Sequence, residues 1–502
     1  MNLAQHLVDS ARKHPDKAAC RHGDGEISFR ELDEMTNRFA SALSDLGLKP
    51  KDRCLVMMPN SMEQIAVYYA LAKMGVVQVL ANFMYRGHEL EHIIEDSQPK
   101  AFIGAEPYLD EVRKIFAKTG MPPIALAKNP SKDSGFTDLS VLSTGNVDFT
   151  VYPADDDDTL NILYTSGTTG VSKGAMLTHK NLISNCRTLA MMRGNIENDT
   201  AVIGVLPLFH VFGINSVLNT SIYLGLTILM LPQFDPEQVM DIIEQEERTI
   251  LFAVPTMYNR LIQLAEAKPP KRSSLKFAVS GGASLPEEFL HRFETLFHAK
   301  IYEGYGLTEA PVCIENPYNQ TTKVGSIGVP IPGFSARVVD ADGNDLPPSK
   351  PGELLVKGPA VMKGYLNCPD ETAEAITDGW LHTGDIARSD DDGYFYIVDR
   401  KKDLIIRGGY NVYPREIEEV IYQLPDVLET AVIGMPHKDL GEEIGAFIVL
   451  KEGAKIDSET IKLYVKERVA PYKYPRIITI CDQPLPKSGS GKILKKELRN
   501  VS

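Results

Sequence analysis

Residues 160–175 read LNILYTSGTTGVSKGA, a short apolar strand followed by a loop of glycines, hydroxyls and one lysine. Loops of this composition turn backbone N–H groups and hydroxyl oxygens toward phosphate, and Lys173 adds a positive charge at the same place. A plain linker would not need this density of hydroxyl groups. The stretch therefore predicts a phosphate-binding loop at the end of a buried strand.

The loop departs from the Walker A motif of P-loop NTPases. That motif is G-x4-G-K-[ST], and counting from Gly167 places Lys173 at its lysine. Ser172 stands where the second glycine belongs, and Gly174 replaces the hydroxyl residue that would hold magnesium. Because two of the four fixed positions fail, the sequence argues against a P-loop kinase or ATPase.

Segments of helical and strand character alternate along the chain on either side of this loop. The spacing of apolar residues predicts helices over Phe29–Leu46 and Met62–Met74. Short apolar runs at Arg53–Met58 and Val76–Leu80 predict buried strands. Such alternation is typical of parallel βαβ units. The segment Lys128–Asp158 is rich in Ser, Asp, Gly and Pro and is predicted to be a loop.

The last third of the chain has a different pattern. Gly333–Gly393 contains short apolar runs separated by Gly, Pro and Asp, which predicts an antiparallel β module. A smaller α+β unit is predicted to begin near Asp399. Residues 403–502 carry 15 basic and 15 acidic side chains, so the net charge of −14 lies in residues 1–402. At 502 residues the chain is expected to form at least two domains.

Composition and charge exclude several classes of protein. A net charge of −14 argues against a nucleic-acid binder, because phosphate contacts need a basic surface. No window approaches the ~20 apolar residues of a membrane span, and the first residues lack the apolar core of a secretory signal. The six cysteines are scattered without a CxxC pair, which favours a reducing cytoplasm and argues against a disulfide framework or a zinc site.

Four further motifs follow the loop. They are Tyr305-Gly-Leu-Thr-Glu309, Gly379-Trp-Leu-His-Thr-Gly-Asp385, Asp399-Arg-Lys-Lys-Asp-Leu-Ile-Ile-Arg-Gly-Gly409 and Pro486-Lys-Ser-Gly-Ser-Gly-Lys492. In this order the five motifs resemble those of the adenylate-forming superfamily, which includes acyl-CoA synthetases, the adenylation domains of peptide synthetases and firefly luciferase. The resemblance covers almost the entire chain and is densest toward bacterial fatty acyl-CoA ligases.

The resemblance implies an α/β fold of several subdomains. A large N-terminal domain over residues 1–398 would contain two stacked αβαβα subdomains and a β-barrel-like module. A small mobile α+β domain would follow over residues 403–502, joined by a hinge at 399–402 with Lys402 as the hinge residue. Members of the superfamily first form an acyl-AMP and release pyrophosphate. Rotation of the small domain then prepares the transfer of the acyl group to CoA.

The resemblance also implies contacts to ATP. Lys492 would bridge the substrate carboxylate and the phosphates, and Thr308 would hydrogen-bond the α-phosphate. Glu309 would bind Mg²⁺. Asp385 would hold the ribose, and Arg400 would contact the ribose or a phosphate. The other residues implied for ATP or AMP are Thr165, Ser166, Gly167, Thr168, Thr169, Lys173, Gly281, Gly282, Ala283, Glu303, Gly304, Tyr305, Gly306 and Ile397.

A second group of residues is implied for CoA. Gly408 and Gly409 would leave room for the pantetheine arm, with Tyr410 beside them. Residues 462–499 hold ten basic and three acidic side chains, which suits the nucleotide of CoA. His210 has two interpretations: a packed pocket histidine, or a gate on the path of the thiol.

The segment Pro207–Gly213 resembles the lining of the acyl pocket in related ligases. The residues implied for the pocket are apolar or small: Phe209, Phe212, Val254, Gly282, Gly304, Pro311 and Val312. We find no acid placed to receive an α-amino group, and Gly304 stands where a malonate-specific ligase is expected to have arginine. These features favour an apolar monocarboxylic acid, specifically a medium- or long-chain fatty acid.

Other functions share much of this pattern. An aryl-CoA ligase of the benzoate or coumarate type differs only in the pocket walls, and a ligase that loads an acyl carrier protein shares the first half-reaction. A luciferase-like oxygenase would need a chromophore, and a non-catalytic scaffold would be expected to lose Lys492 or Glu309. The expected partners are the acid, ATP and CoA, with Mg²⁺ as cofactor. A homodimer is the candidate assembly.

Overall fold

The computed structural model describes residues 1–132, 134–165, 172–194, 196–318, 320, 322–489 and 491–499. Four sheets organise these residues, and two of them are large and mostly parallel. The predicted βαβ alternation is confirmed, since the strands Arg53–Met57 and Val77–Leu80 are parallel neighbours joined by the helix Met62–Met74. The chain is therefore a mixed α/β protein of several sheets.

Within the described residues the two large sheets hold nine and eight strands. In spatial order the first sheet consists of Val329–Pro330, Ile314–Glu315, Lys300–Tyr305, Leu275–Ser280, Thr249–Ala253, Ala201–Gly204, Thr227–Met230, Ala18–His22 and Gly25–Ser28. The second consists of Gly364–Tyr365, Lys173–Thr178, Thr159–Thr165, Val77–Leu80, Arg53–Met57, Ala101–Ala105, Ile124–Lys128 and Thr137–Asp138. In both sheets the central strands are parallel and antiparallel strands occupy edges.

The third and fourth sheets lie later in the chain. The third contains Ser335–Val339, Gly352–Lys357, Trp380–Ser389, Ile376–Thr377 and Phe395–Arg400. All of its pairings are antiparallel, as the sequence predicts for this region. The fourth contains Tyr410–Val412, Ile405–Arg407, Gly441–Leu450, Val427–His437 and Ile477–Ile480. This sheet has its own hydrophobic clusters, separate from the main core.

Helices cover the sheets and fill the space between them. The α-helices are Gln5–Lys13, Phe29–Asp45, Met62–Met74, His88–Ser97, Leu109–Thr119, His179–Met192, Thr220–Leu224, Pro236–Gln245, Pro255–Ala267, Glu287–Phe297, Pro369–Ala375, Pro414–Tyr422, Ser458–Lys466 and Lys495–Arg499. Leu139–Thr144 forms a 3-10 helix and Phe212–Asn219 a π-helix. None of the helices in the described ranges combines the length and the apolarity that crossing a membrane requires.

One expectation was wrong in part. The segment Lys128–Asp158, predicted to be a loop, contains the short strand Thr137–Asp138 and the 3-10 helix Leu139–Thr144. Leu139 and Leu142 are buried in the main core, where apolar burial outweighs the loop-like composition around them.

The helix Met62–Met74 is buried on nearly every side, and it contains a lysine in the core. Lys73 is fully buried, and its Nζ donates to Asp33 Oδ1 at 2.6 Å and to Asn37 Oδ1 at 2.6 Å. Burial lowers the Lys73 pKa, and the Asp33 carboxylate opposes that change. The ion pair thus holds the helices Phe29–Asp45 and Met62–Met74 together only while both charges remain.

Replacing Asp33 with alanine is expected to destabilise the protein by about 3 kcal/mol, because the Lys73 ammonium would stay buried without its carboxylate. Asp45→Ala is the matched control, since Asp45 ends the same helix but is exposed, and its effect is expected to stay within about 0.5 kcal/mol. Urea unfolding followed by circular dichroism measures both. Equal midpoints for the two variants would contradict the assigned role of Asp33.

Candidate functional site

Lys492 lies on a glycine loop that reaches from the C-terminal part of the chain to the first sheet. The carbonyl of the preceding residue, Gly491, accepts a hydrogen bond from Thr256 Oγ1 at 3.1 Å. The loop closes on itself, because Ser488 N–H donates to the Lys492 carbonyl at 2.7 Å. Burial lowers the Lys492 pKa to about 7, with repulsion by Arg400 as the second cause. The structure thus places a poorly solvated ammonium beside Arg400.

Asp385 is the acceptor at the centre of a second group. The Tyr305 hydroxyl donates to Asp385 Oδ2 at 2.6 Å, and Arg400 Nε lies 3.6 Å from Oδ1. Asp385 is not in a plain turn, as the TGD motif alone would suggest: it lies inside the strand Trp380–Ser389, opposite Arg400 on the neighbouring strand. Ile397 is half-buried on that same neighbouring strand. The structure therefore brings Asp385, Tyr305, Arg400 and Lys492 together.

The glycine-rich loop begins and ends on two paired strands. Thr165 and Lys173 are directly opposite each other at the end of this antiparallel pair. Ser166, Gly167, Thr168 and Thr169 lie outside the described residues. Lys173 Nζ is 5.3 Å from the centroid of the Tyr365 ring. The lysine is thereby held over an aromatic face, next to the site of Glu309.

Glu309 and Thr308 lie in a tight turn between the first-sheet strands Lys300–Tyr305 and Ile314–Glu315. Leu307 N–H donates to the Ala310 carbonyl at 2.9 Å, which closes the turn around them. The Tyr365 hydroxyl donates to Glu309 Oε1 at 2.8 Å, and burial raises the pKa of Glu309. Tyr365 is a contact that the motifs did not indicate, because it belongs to an unremarkable Lys-Gly-Tyr-Leu stretch.

A cavity opens between the first sheet and the π-helix. It is lined by His210, Val211, Phe212, Ser216, Val279, Ser280, Gly281, Gly282, Gly304, Tyr305, Gly306, Leu307, Pro311, Val312 and Glu315. Burial, and then the charge of Lys492, lowers the pKa of His210 to about 4, so this imidazole is neutral at pH 7. His210 therefore marks the end of the cavity that faces Lys492.

A buried polar network supports one wall of the cavity. Asn185 Nδ2 donates to the Val312 carbonyl at 2.7 Å, and Asn215 Nδ2 donates to Asn185 Oδ1 at 2.7 Å. Asn215 belongs to the π-helix Phe212–Asn219, whose widened turns carry Phe212 and Ser216 into the lining. Inserted π-turns are frequent at functional sites. The network fixes the π-helix relative to the Pro311–Val312 wall.

The pocket differs from the sequence prediction in three ways. Phe209 and Val254 lie outside the lining: Phe209 packs edge-on against Phe83 at 5.5 Å, and Val254 packs beside Gly282 and Gly491. Glu303, which was predicted for ATP or AMP, also lies outside the lining, and its Oε2 accepts the Leu285 N–H at 3.0 Å.

The third difference is polar. Ser216, Ser280 and Glu315 line the cavity, and none of the three was predicted for the pocket. Glu315 follows an apolar run that ends at Ile314 and precedes Asn316, and this local pattern did not indicate that the acid lines a cavity. Several small residues were predicted near the nucleotide. Gly281 and Gly282 line the cavity, and Gly306 is exposed at its edge. Ala283 is exposed and lies outside the lining.

The residues predicted for CoA lie apart from this cavity. Gly408, Gly409 and Tyr410 form the turn between the strands Ile405–Arg407 and Tyr410–Val412, and Tyr410 stacks on Tyr472 with ring centroids 4.7 Å apart. Lys402 lies between the end of the third sheet at Arg400 and the start of the fourth at Ile405.

Polar and aromatic contacts join the fourth sheet and its helices to the N-terminal part. Besides the Thr256–Gly491 hydrogen bond, Asn259 Nδ2 donates to the Leu428 carbonyl at 2.9 Å, and the rings of Phe289 and Tyr422 meet at 5.2 Å. Arg415 also donates to the Ile397 carbonyl.

Comparisons with known proteins agree with this architecture. The family model of AMP-binding enzymes matches residues 7–366, and that of the AMP-binding enzyme C-terminal domain matches residues 416–492. A long-chain-fatty-acid–CoA ligase of Bacillus subtilis is 37% identical over 521 residues, covering 98% of this chain and 93% of the relative. A feruloyl-CoA synthase of an Amycolatopsis species is 36% identical over 494 residues, covering 98% and 97%.

Solved structures give the same result. The crystal structure of ATP-bound MatB from Rhodopseudomonas palustris superposes with a TM-score of 0.91 at 34% identity, covering 100% of this chain and 99% of that one. Both the family models and the relatives span nearly the whole chain, with the motifs in the predicted order. The chain therefore belongs to the AMP-binding enzyme family of the adenylate-forming superfamily, and it is an AMP-forming acid–CoA ligase.

Proposed function

We propose that the chain converts a monocarboxylic acid, of the medium- or long-chain fatty type, into its CoA thioester through an acyl-AMP. The supporting observation is the convergence of Lys492, Arg400 and Asp385 at the His210 end of a largely apolar cavity. A carboxylate oxygen attacks the α-phosphorus of ATP and pyrophosphate leaves. The CoA sulfur, deprotonated, then attacks the acyl carbon, and AMP leaves with the electron pair of the broken C–O bond.

In the first step the chief obstacle is repulsion between the carboxylate and the phosphates. Lys492 bridges the two anions, and Thr308 donates to the α-phosphate. Asp385 accepts from the ribose hydroxyls, with Arg400 beside it. Lys173 and the loop at Ser166–Thr169 hold the outer phosphates. These assignments follow the motif order and the grouping of the described side chains around Lys492.

Glu309 suits a magnesium ion that ATP brings with it. Mg²⁺ is usually held by one or two carboxylates together with substrate phosphates. Glu309 is one carboxylate whose orientation is set by the Tyr365 hydroxyl, and its raised pKa reflects a buried position where a cation would favour the ionised form. When bound, the ion would neutralise charge on the phosphates. Glu309 and Tyr365 are the residues that would hold it in place.

The second step requires the small domain to rotate. The domain division is placed at residues 1–398 and 403–502, with the hinge at 399–402 and Lys402 as the hinge residue. Lys492 would leave the site on rotation, and the Gly408–Tyr410 turn would replace it as the wall of the CoA tunnel. The position of Lys402 between the third and fourth sheets supports this proposal.

An aryl-CoA ligase is the second candidate. The observation that favours it is the polar part of the cavity, since Ser216, Ser280 and Glu315 suit a substituted ring better than a plain alkyl chain. The identity of 36% to a feruloyl-CoA synthase is also close to the 37% to a long-chain-fatty-acid–CoA ligase.

A substrate panel tests the proposal. Pyrophosphate and AMP release are measured with ATP, Mg²⁺ and acetate, octanoate, palmitate, benzoate, coumarate or malonate, each with and without CoA. CoA-dependent turnover of octanoate or palmitate is expected. Turnover of the aromatic acids alone would replace the fatty-acid proposal with the aryl-CoA one. Adenylation without transfer to CoA would indicate a carrier protein as the acceptor.

The lowered Lys492 pKa predicts a pH dependence. A lysine with a pKa of about 7 loses its positive charge as the pH rises above 7, so the free enzyme loses the cation that receives ATP and the carboxylate. We expect kcat/KM for ATP in the adenylation step to fall by about tenfold per pH unit well above the pKa. Lys492→Arg, which stays charged, is expected to remove this fall. A flat wild-type profile between roughly pH 6 and 9 would contradict the assignment.

A further inference from the structure

The residues that line the cavity include three with a side-chain oxygen that has no hydrogen-bond partner within the described part of the chain. These oxygens are Ser216 Oγ, Ser280 Oγ and Glu315 Oε2. Their exposed fractions are 1%, 0% and 0%. Buried polar groups in folded proteins are almost always paired, and one that is not paired internally is a candidate to bind a ligand.

The position of Gly304 leaves the Glu315 carboxylate open to the cavity. Gly304 and Glu315 are directly opposite each other on antiparallel strands. A β-carbon at residue 304 would lie 3.5 Å from Glu315 Oε2 and would cover it. With glycine at this position, no side chain from residue 304 stands beside this oxygen.

The Arg193 guanidinium balances the negative charge of Glu315. The Tyr318 hydroxyl donates to Glu315 Oε1, and Arg193 Nη2 lies 3.7 Å from Oε2, which is too long for a hydrogen bond. The Arg193 guanidinium is held over the Phe252 ring at 4.7 Å. The pair has no net charge, so it requires no charged substrate group. It leaves Glu315 Oε2 without a hydrogen-bond donor among the described residues.

We propose that the acid carries a neutral hydroxyl group at the end remote from its carboxylate, and that this hydroxyl binds the cluster of Glu315, Ser216 and Ser280. The hydroxyl donates to Glu315 Oε2 and accepts from a serine. This inference rests on the proposed function, because it assumes that the carboxylate lies at the Lys492 end. Two kinds of acid offer this chemistry: an aliphatic acid with a terminal hydroxyl, and a phenolic acid.

Matched pairs of acids test the proposal. The kcat/KM for AMP formation with CoA is compared for octanoate against 8-hydroxyoctanoate, and for cinnamate against 4-hydroxycinnamate. We expect the hydroxylated acid to be preferred by about 10- to 100-fold in one pair, and that pair identifies the source. A preference for the plain acid in both pairs, or for 8-aminooctanoate over 8-hydroxyoctanoate, overturns the hydroxyl inference and leaves the ligase assignment intact. Absence of AMP formation with every acid overturns the proposed function itself.

Variants test whether the Glu315, Ser216 and Ser280 cluster causes the preference for the hydroxylated acid. Ser216→Ala and Glu315→Gln are expected to lower the ratio of kcat/KM between hydroxylated and plain acid by about 5-fold and about 10-fold or more. Ser221→Ala is the matched control, because the Ser221 hydroxyl is equally buried and unpartnered within the described chain but lies outside the cavity lining. Its ratio is expected to equal that of the wild type.

The variants remain informative if one of them folds poorly. Glu315→Gln leaves Arg193 without its counter-charge, so its melting temperature is measured alongside the kinetics. Ser216→Ala changes no charge and is expected to fold. A merely structural role of the cluster would lower kcat/KM for both acids of a pair equally and leave the ratio unchanged, which would overturn the inference.

Discussion

Acyl-AMP formation is expected to fall by about 10²- to 10³-fold in Lys492→Ala, with little effect on thioester formation from supplied acyl-AMP. Loss of one preorganised charge that stabilises a developing anion has effects of this size. The position of Lys492 beside Arg400 and the His210 end of the cavity suits the adenylation step. Once acyl-AMP has formed, the β- and γ-phosphates have left as pyrophosphate, and the carboxylate that Lys492 brought to the α-phosphate is already joined to it. Pyrophosphate exchange measures the first step, and acyl-CoA formation from acyl-AMP measures the second.

Lys496→Ala provides the matched control, because Lys496 is four residues further along the chain and exposed. Its removal is expected to leave both rates within about twofold, in line with the small effects of exposed substitutions. If Lys492→Ala lowered both half-reactions equally, the residue would serve the structure or CoA binding, and its assignment to adenylation would be wrong.

Cross-linking the small domain in its present position is expected to abolish thioester formation and spare adenylation. A β-carbon at Gly489 would lie 3.1 Å from Asn82 Cγ, which is one bond beyond the Asn82 β-carbon, so the two residues are near enough to be tested for a disulfide, whose β-carbons lie ~3.5–4.5 Å apart. The oxidised Asn82→Cys/Gly489→Cys double variant is expected to lose CoA transfer by roughly two orders of magnitude, because it blocks the required rotation. Dithiothreitol is expected to restore it.

The reduced double variant and the Asn82→Cys single variant are the controls, since neither carries the link. A cross-link is a cleaner test of the Lys402 hinge than proline at that residue. Asp403 N–H donates to the Arg400 carbonyl at 3.0 Å, which makes Lys402 the third residue of a turn. Proline is disfavoured there and would disturb the present arrangement too. Full thioester activity in the oxidised enzyme would remove the rotation from the mechanism.

Local patterns in the sequence predicted most of the fold. Periodicity predicted the helices Phe29–Asp45 and Met62–Met74, and the strand that follows each of them, to within a residue or two. Burial of one face of an element imposes a regular spacing of apolar residues on the chain. The motif order also predicted the family. Prediction failed at Leu139 and Leu142, whose burial depends on contacts with distant helices that a local window does not contain.

The pocket was predicted less well, for a similar reason. Phe212, Pro311 and Val312 line the cavity, whereas Phe209 packs against Phe83, and Glu315 lines the cavity without having been predicted there. The role of Glu315 depends on Arg193, Ser216 and Ser280, and these residues are far from it in the sequence. No spacing rule relates residues on different elements, so a single acid in an apolar stretch gave no hint of a polar cluster.

The sequence by itself determined the family, the α/β class and the chemistry of adenylation, because each rests on short motifs whose residues act through local backbone geometry and charge. Tertiary structure alone decided which residues surround the acid and where the small domain lies. It brought Lys492 to Asp385 and Arg400, and it opened Glu315 to the cavity across from Gly304. The physical reason is that the desolvation and the pairing of a charged group depend on every element packed around it. A motif contains only the residues of its own segment and gives no information about those neighbours.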